Sequence, residues 1–320
     1  MRLRPLIGAM LVLAGMALQS GTAAQTYPDR PVKLLIAFPA GGTIDTLGRI
    51  LAQKLSEAWG QNVVIENRAG AGGNIGAAAA AQAAPDGYTL HFGAQSLAVN
   101  VTIAPYQNFD PVRDFEPIIL AATATDVLVV PLSSQFHKLS ELIDYAKAHP
   151  GELNYCSLGV GTSSHLSTVQ FAHILGLQLQ HVPYTGFSQA TTDLGSGRIA
   201  LWIPTLGGTL GNIQAGKMRP LAISGPSRAA AVPDIPTFQE QGIEFGESSW
   251  YALFAPKGTP KEIIAKVNAD VARILTLPDV KAKAETLGFR LVGGAPAKLA
   301  QFVDSEIAKW AALAKVGAFK

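Results

Sequence analysis

Two short stretches place glycines and hydroxyl residues where a helix begins. In "FPAGGTIDTLGR", Phe38 to Arg49, the apolar run "VKLLIAF" meets a proline, two glycines and a threonine, and helical spacing starts at once. In "GVGTSSHL", Gly159 to Leu166, the run "LNYCSLG" passes through glycines into Thr162, Ser163 and Ser164, and a second helical pattern follows. Glycines at such a junction let the backbone come close to another group. A helix start carries unpaired N–H groups and the positive end of the helix dipole, so it binds an anion without a charged side chain. Thr43, Thr162, Ser163 and Ser164 add hydroxyl donors. A carboxylate suits such a site, and two lobes lending one helix start each to one ligand would account for the echo. The competing reading is that Thr43 and Ser163 only cap their helices. Asp45, the one charge of the first loop, is expected to hold that loop in shape, with contact to a ligand through water as the alternative.

Other chemistries fit these residues less well. "GAGGNIG", Gly70 to Gly76, has the glycines of a dinucleotide fingerprint, but Ile75 stands where the third glycine belongs, and there is no phosphate-loop lysine. Ser163, Ser164 and His165 suggest a hydrolase, yet the side chains of adjacent Ser and His diverge and no G-x-S-x-G elbow occurs. His165 is expected to line a pocket or to bond the loop. The six histidines form no i,i+4 pair and no cluster with carboxylates, so neither a metal nor a cofactor is expected. Cys156 is the only cysteine, which excludes a disulfide framework and leaves it as a small strand residue.

The elements that must position these loops are legible along the chain. "VKLLIAF", "NVVIENR", "DVLVVP", "LNYCSLG" and "LQHVPY" each precede a helical or small-residue segment. Strand and helix in alternation predict an α/β fold with mainly parallel sheets, and the chain is long enough for two lobes. From Lys261 onward the pattern is mostly helical. The chain is expected to cross between lobes near Ala121 to Val129 and to return near Arg219 to Gly225. That gives lobe 1 over 25–124, lobe 2 over 125–222, and over 223–320 a return to lobe 1 with bracing helices.

Residues 1–24 read as a cleavable export signal: Arg2 and Arg4, an apolar run from Leu6 to Leu18, then "SGTAA". The mature protein is therefore expected in the periplasm. Without Arg2 and Arg4 the 25 basic residues fall to 23, equal to the 23 acidic ones. Balanced charge without basic runs argues against nucleic acid or an anionic membrane surface as partner.

"YPDRPVKLLIAFPAGGTIDTLGR", "VVIENRAGAGGNIGAAAAAQAAPDGYTL", "FDPVRDFEPI", "GTSSHL", "HVPYTGFSQATTDLGSG", "RPLAISGPSRAAAVPDIPTFQEQG" and "APKGTP" resemble, in order, the Bug-type extracytoplasmic receptors of tripartite tricarboxylate transporters. The resemblance implies a two-lobed periplasmic-binding-protein (Venus-flytrap) fold with a cleft between lobes, a monomer that closes on a small carboxylate and hands it to membrane subunits. It implies ligand contacts from Phe38, Ala40, Gly41, Gly42, Thr43 and Asp45 in the first loop. In the second loop it implies Gly159, Gly161, Thr162, Ser163, Ser164 and His165, and beside them Tyr184, Thr185 and Phe187. Ser96 and Trp202 complete the expected ligand-binding set. Val169, Thr185 and Ala200 stand where the family usually carries charge, while Phe187 and Trp202 are aromatic. That combination favours an aromatic or medium-chain dicarboxylate, such as terephthalate or adipate. A hydrolase using the Ser163–His165 loop and a ligand sensor for a membrane kinase are the other readings.

Overall fold

The computed structural model describes residues 27–104, 108–246 and 249–315; the expected export signal, residues 1–24, lies outside them. The chain opens as β1 (Val32–Ile36), α1 (Thr43–Trp59), β2 (Val63–Asn67), α2 (Asn74–Ala81), β3 (Thr89–Ala94), α3 (Ser96–Ile103) and β4 (Phe115–Ala124). It continues as β5 (Val127–Val130), α4 (Leu139–Ala148), β6 (Asn154–Ser157), α5 (Ser163–Leu175), β7 (Gln180–Pro183), α6 (Phe187–Gly195), β8 (Leu201–Trp202), α7 (Leu206–Gln214) and β9 (Arg219–Ile223). Then come β10 (Ser249–Pro256), α8 (Lys261–Ile274), α9 (Pro278–Thr286), β11 (Phe289–Leu291) and α10 (Pro296–Lys315). The fold is α/β and two-lobed. One lobe is built on a six-stranded sheet, β11-β4-β10-β3-β1-β2, the other on a five-stranded sheet, β7-β6-β8-β5-β9.

Both sheets are mixed, a correction to the mainly parallel sheets expected. β1 pairs in parallel with β2 and β3, and β6 with β7 and β8, as βα units demand. β10 is antiparallel to β3 and β4, and β5 to β8 and β9. The reason is connectivity. The βα strands point their carboxyl ends at the space between lobes, whereas β5 and β10 enter their sheets from the other lobe and run away from it.

The crossing from β4 to β5 occupies only Thr125 and Asp126. The return comes later than expected: Phe238, Ile243 and Phe245 still pack in the second lobe's core with Leu128 and Phe171, and the first sheet is rejoined at Ser249. An apolar anchor pattern after β9 holds that segment down, so 223 is not where the second lobe ends. Asp126, wholly buried, ties the crossings together: its carboxylate accepts from Ser249 Oγ at 3.0 Å and Ser167 Oγ at 2.9 Å, and its N–H donates to Ser224 Oγ at 2.7 Å. At the lobe boundary, Leu166 of α5 packs with Val99 of α3 and with Trp310 and Leu313 of α10, which is how the last helix braces both lobes.

Candidate functional site

A cleft of about 590 Å³ lies between the lobes, within the usual range for small-molecule sites. Its walls are the loops that follow β1, β3, β6, β7 and β8, the carboxyl ends where α/β proteins place ligands. Besides α3, whose N-cap is Gln95, four helices begin on it. Their N-cap residues, Gly42, Thr162, Gly186 and Thr205, all line the cleft, and none of the four helices has a side-chain cap. The first-turn N–H groups of α1, α5 and α6 thus keep their donors for whatever enters, whereas in α7 the Leu206 N–H already donates to Thr125 O at 2.8 Å and the Gly208 N–H to Thr205 O at 3.2 Å. Among the described residues no Lys, Arg, Asp, Glu or His lines the cleft; Phe38, Ile44, Leu158, Phe187, Pro204 and Tyr251 give it apolar walls. No side chain on the cleft carries a charge that could pair with an anion.

The two glycine loops are built alike. In the first, the N–H of Gly41, at φ 82°, donates to Asp45 Oδ2 at 2.8 Å. In the second, the N–H of Gly161, at φ 81°, donates to His165 Nδ1 at 3.3 Å. Each glycine stands just before the N-cap and is bonded by the residue four places on. The sequence echo pairs Gly42-Thr43 with Gly161-Thr162; the structure shifts that register by one, so Gly41 matches Gly161 and Asp45 matches His165.

Asp45 is 1% exposed and does not line the cleft, which leaves it the loop-shaping role rather than the alternative of facing a ligand. Its oxygens are taken by the Gly41 N–H, by the Nδ2 of Asn67 at 3.0 Å, and by Arg49 Nε and Nη2 at 2.8 and 3.2 Å. Burial alone would raise its pKa, but these donors hold it below the ordinary value. Thr43 and Ser163 are not N-caps, contrary to the capping alternative; both line the cleft. Thr43 Oγ1 lies 3.0 Å from Thr205 Oγ1, a hydrogen bond from one lobe to the other.

Of the residues expected to bind ligand, Phe38, Ala40, Gly41, Gly42, Thr43, Thr162, Ser163, Ser164, Thr185 and Phe187 line the cleft. Gly159, Gly161, His165 and Tyr184 do not. Gly159 and Gly161 turn the loop, at φ 111° and 81°, and the Thr162 hydroxyl donates back to Gly159 O at 2.7 Å. His165 is buried, its ring 4.6 Å from that of His181, and burial together with His181 pushes its pKa down to about 4. Tyr184 is buried and donates its hydroxyl to Asp193. Ser96 lies behind Phe38 on a separate cavity of about 10 Å³, room for one water at most. Trp202 is wholly buried in the second lobe's core, 5.0 Å ring to ring from Phe187, so it supports that side chain and does not line the cleft. Val169 and Ala200 do not line the cleft either.

Gln95, Thr205, Gly208 and Tyr251 line the cleft without having been expected there. One signal was available: "LWIPTLGG" repeats the pattern of strand, hydroxyl and glycines. Tyr251 carried none, because it reaches the cleft only by pairing with Ala94 across a sequence separation no local pattern records.

A hydroxyl–imidazole hydrogen bond does occur, between Ser157 Oγ and His181 Nε2 at 2.6 Å, but Ser157 is wholly buried and off the cleft. Among the described residues there is no group of three or more His, Cys, Asp or Glu that could hold a metal.

Residues 47–317 match the tripartite tricarboxylate transporter family receptor. The chain belongs to that family. A protein of the tcbD–tcbE intergenic region of Pseudomonas sp. (strain P51) is 39% identical over 312 residues, 95% of this chain and 93% of that one. BugT of Bordetella pertussis is 35% identical over 98% of this chain and 97% of its own. Among solved structures, the R. palustris Rpa4515 protein with adipate superposes with TM-score 0.83 at 36% identity, covering 90% of this chain and 97% of its own. MatC of Rhodopseudomonas palustris with bound malate gives 0.80 at 32% identity over 90% and 99%. The periplasmic binding protein BugD gives 0.80 at 30% identity, over 90% and 98%.

Proposed function

We propose that this family member captures a dicarboxylate of apolar body, aromatic or medium-chain, by closure of the lobes, and delivers it in the periplasm to the membrane subunits of its transporter. The observation that carries the reading is four uncapped helix starts on one uncharged cleft. Converging dipoles favour negative charge and disfavour an ammonium. Without a charged side chain the cleft offers no counter-ion for a third carboxylate, whose burial unpaired costs several kcal/mol. Phe187, Ile44 and Leu158 suit an apolar body. The adipate held by the Rpa4515 protein fits that chemistry.

Titration calorimetry with adipate, terephthalate, citrate and glutamate tests the proposal. Adipate or terephthalate is expected to bind more tightly than citrate or glutamate, and Ser163→Ala to weaken that binding by about 1–3 kcal/mol, the cost of a lost hydrogen bond to a charged group. Tight binding of citrate or glutamate, with neither diacid bound, overturns it.

A further inference from the structure

Among the polar side chains of the cleft, that of Gln95 stands out because the fold gives its acceptor nothing to bond. Gln95 follows β3 directly and stands at the start of α3; it is 3% exposed and lines the cleft beside Ala94 and Tyr251. Its Oε1 is buried without a hydrogen-bond partner. Four other cleft hydroxyls are already bonded: Thr43 with Thr205, Thr162 with Gly159 O, and Ser164 Oγ accepting the Leu158 N–H at 3.2 Å. Buried amides are hydrogen-bonded as a rule, and an exception on a ligand cleft marks a group completed by the ligand or by a water that the ligand brings.

We infer that Gln95 is a specificity-determining residue that hydrogen-bonds a second oxygen function of the ligand, distinct from the carboxylate bound at the helix starts. This rests on the carboxylate reading. The helix starts offer N–H donors only, so they satisfy a carboxylate and nothing that needs an acceptor. The Gln95 amide offers both: Oε1 accepts from a hydroxyl or a water, and turned over, Nε2 donates to a carboxylate. An apolar ligand body leaves it unpaired. An ammonium would satisfy Oε1, but the positive helix ends that share the cleft disfavour a cation there. A site built to bond a polar group rejects the analogue that lacks it, because its own buried group is then stranded. Gln95 therefore selects diacids and hydroxy acids over monoacids of the same length.

The test compares matched ligands, adipate with hexanoate and terephthalate with benzoate, on the full chain by calorimetry. The wild type is expected to prefer the diacid by about tenfold or more in at least one pair. Gln95→Met keeps the side-chain length without the amide; it is expected to weaken the diacid about tenfold while the monoacid changes less than about threefold. Gln95→Asn, which draws the amide back, is the second variant should the first not fold, and is expected to lower the same preference. An equal loss for diacid and monoacid, or no loss for either, overturns the inference while leaving the carboxylate reading standing. A wild type that binds none of the four overturns both.

Discussion

In the first lobe the loop glycine is held by a carboxylate, Asp45, and in the second by an imidazole, His165, at the same place four residues on. The backbone geometry is shared; the chemistry of the anchor is not. Asp45 is ionised and itself braced by Arg49 and Asn67, so the first loop hangs on a charged network. His165 is neutral, packed against His181 and, through it, Tyr155, and it bonds the loop only while Nδ1 carries no proton. The contrast teaches that an anion cleft free of charged side chains still depends on charge one layer back. It also means that the two halves should fail under different conditions.

The largest effect is expected from Asp45→Ala. It strands the Gly41 N–H and the Asn67 amide and frees Arg49, and hydrogen bonds to a charged group are the strong ones, so a loss of about 4 kcal/mol in urea unfolding is expected. A loss below about 1 kcal/mol would show that the carboxylate anchor is dispensable and the comparison empty.

Acid should find the second loop first. The folded pKa of His165 is pushed down to about 4 from an ordinary 6.5, so below 6.5 the unfolded chain binds a proton that the folded one refuses. The contribution is complete above pH 6.5 and is lost as pH falls towards 4, to a total of about 3 kcal/mol. Asp45, held below the ordinary 3.8, keeps its contribution above that value and loses it only as pH falls through its lowered pKa. His165→Asn retains an acceptor that does not titrate. Its stability is expected to fall less than that of the wild type between pH 7 and 4, by about 3 kcal/mol, in denaturant melts across pH. His91, also pushed down to about 4 by burial, adds a common slope to both proteins, so only the difference between them reports on the loop.

The smallest effect concerns the contact between the halves. A double-mutant cycle of Thr43→Val and Thr205→Val should give a coupling of about 1 kcal/mol, the net worth of one neutral hydrogen bond. Zero coupling would mean that the two hydroxyls meet without joining the lobes.

Much of the cleft was readable residue by residue. The loops after β1 and β6 announced themselves because glycines and hydroxyls at a strand-to-helix junction have a local cause. Trp202 misled for want of a facing: on a two-residue strand nothing in sequence says which side of the sheet it takes, and it took the core side behind Phe187. Tyr184 and Ser96 sat next to true cleft residues, Thr185 and Gln95, and a one-residue step along a loop was enough to turn them inward.

By itself the sequence determined the α/β alternation, the two glycine-led helix starts, the absence of charge at Thr185 and the family resemblance. These follow from local periodicity, local backbone freedom and residue type. Tertiary structure alone decided that β5 and β10 run against their neighbours, that the second lobe extends to Phe245, and that Asp45 and His165 serve as matched anchors rather than ligands. It also decided that Gln95 and Tyr251 face the cleft. Each of these depends on which distant segment packs alongside, through a lobe crossing at Asp126 or a pairing such as Ala94 with Tyr251, and a window of neighbouring residues holds no record of such contacts.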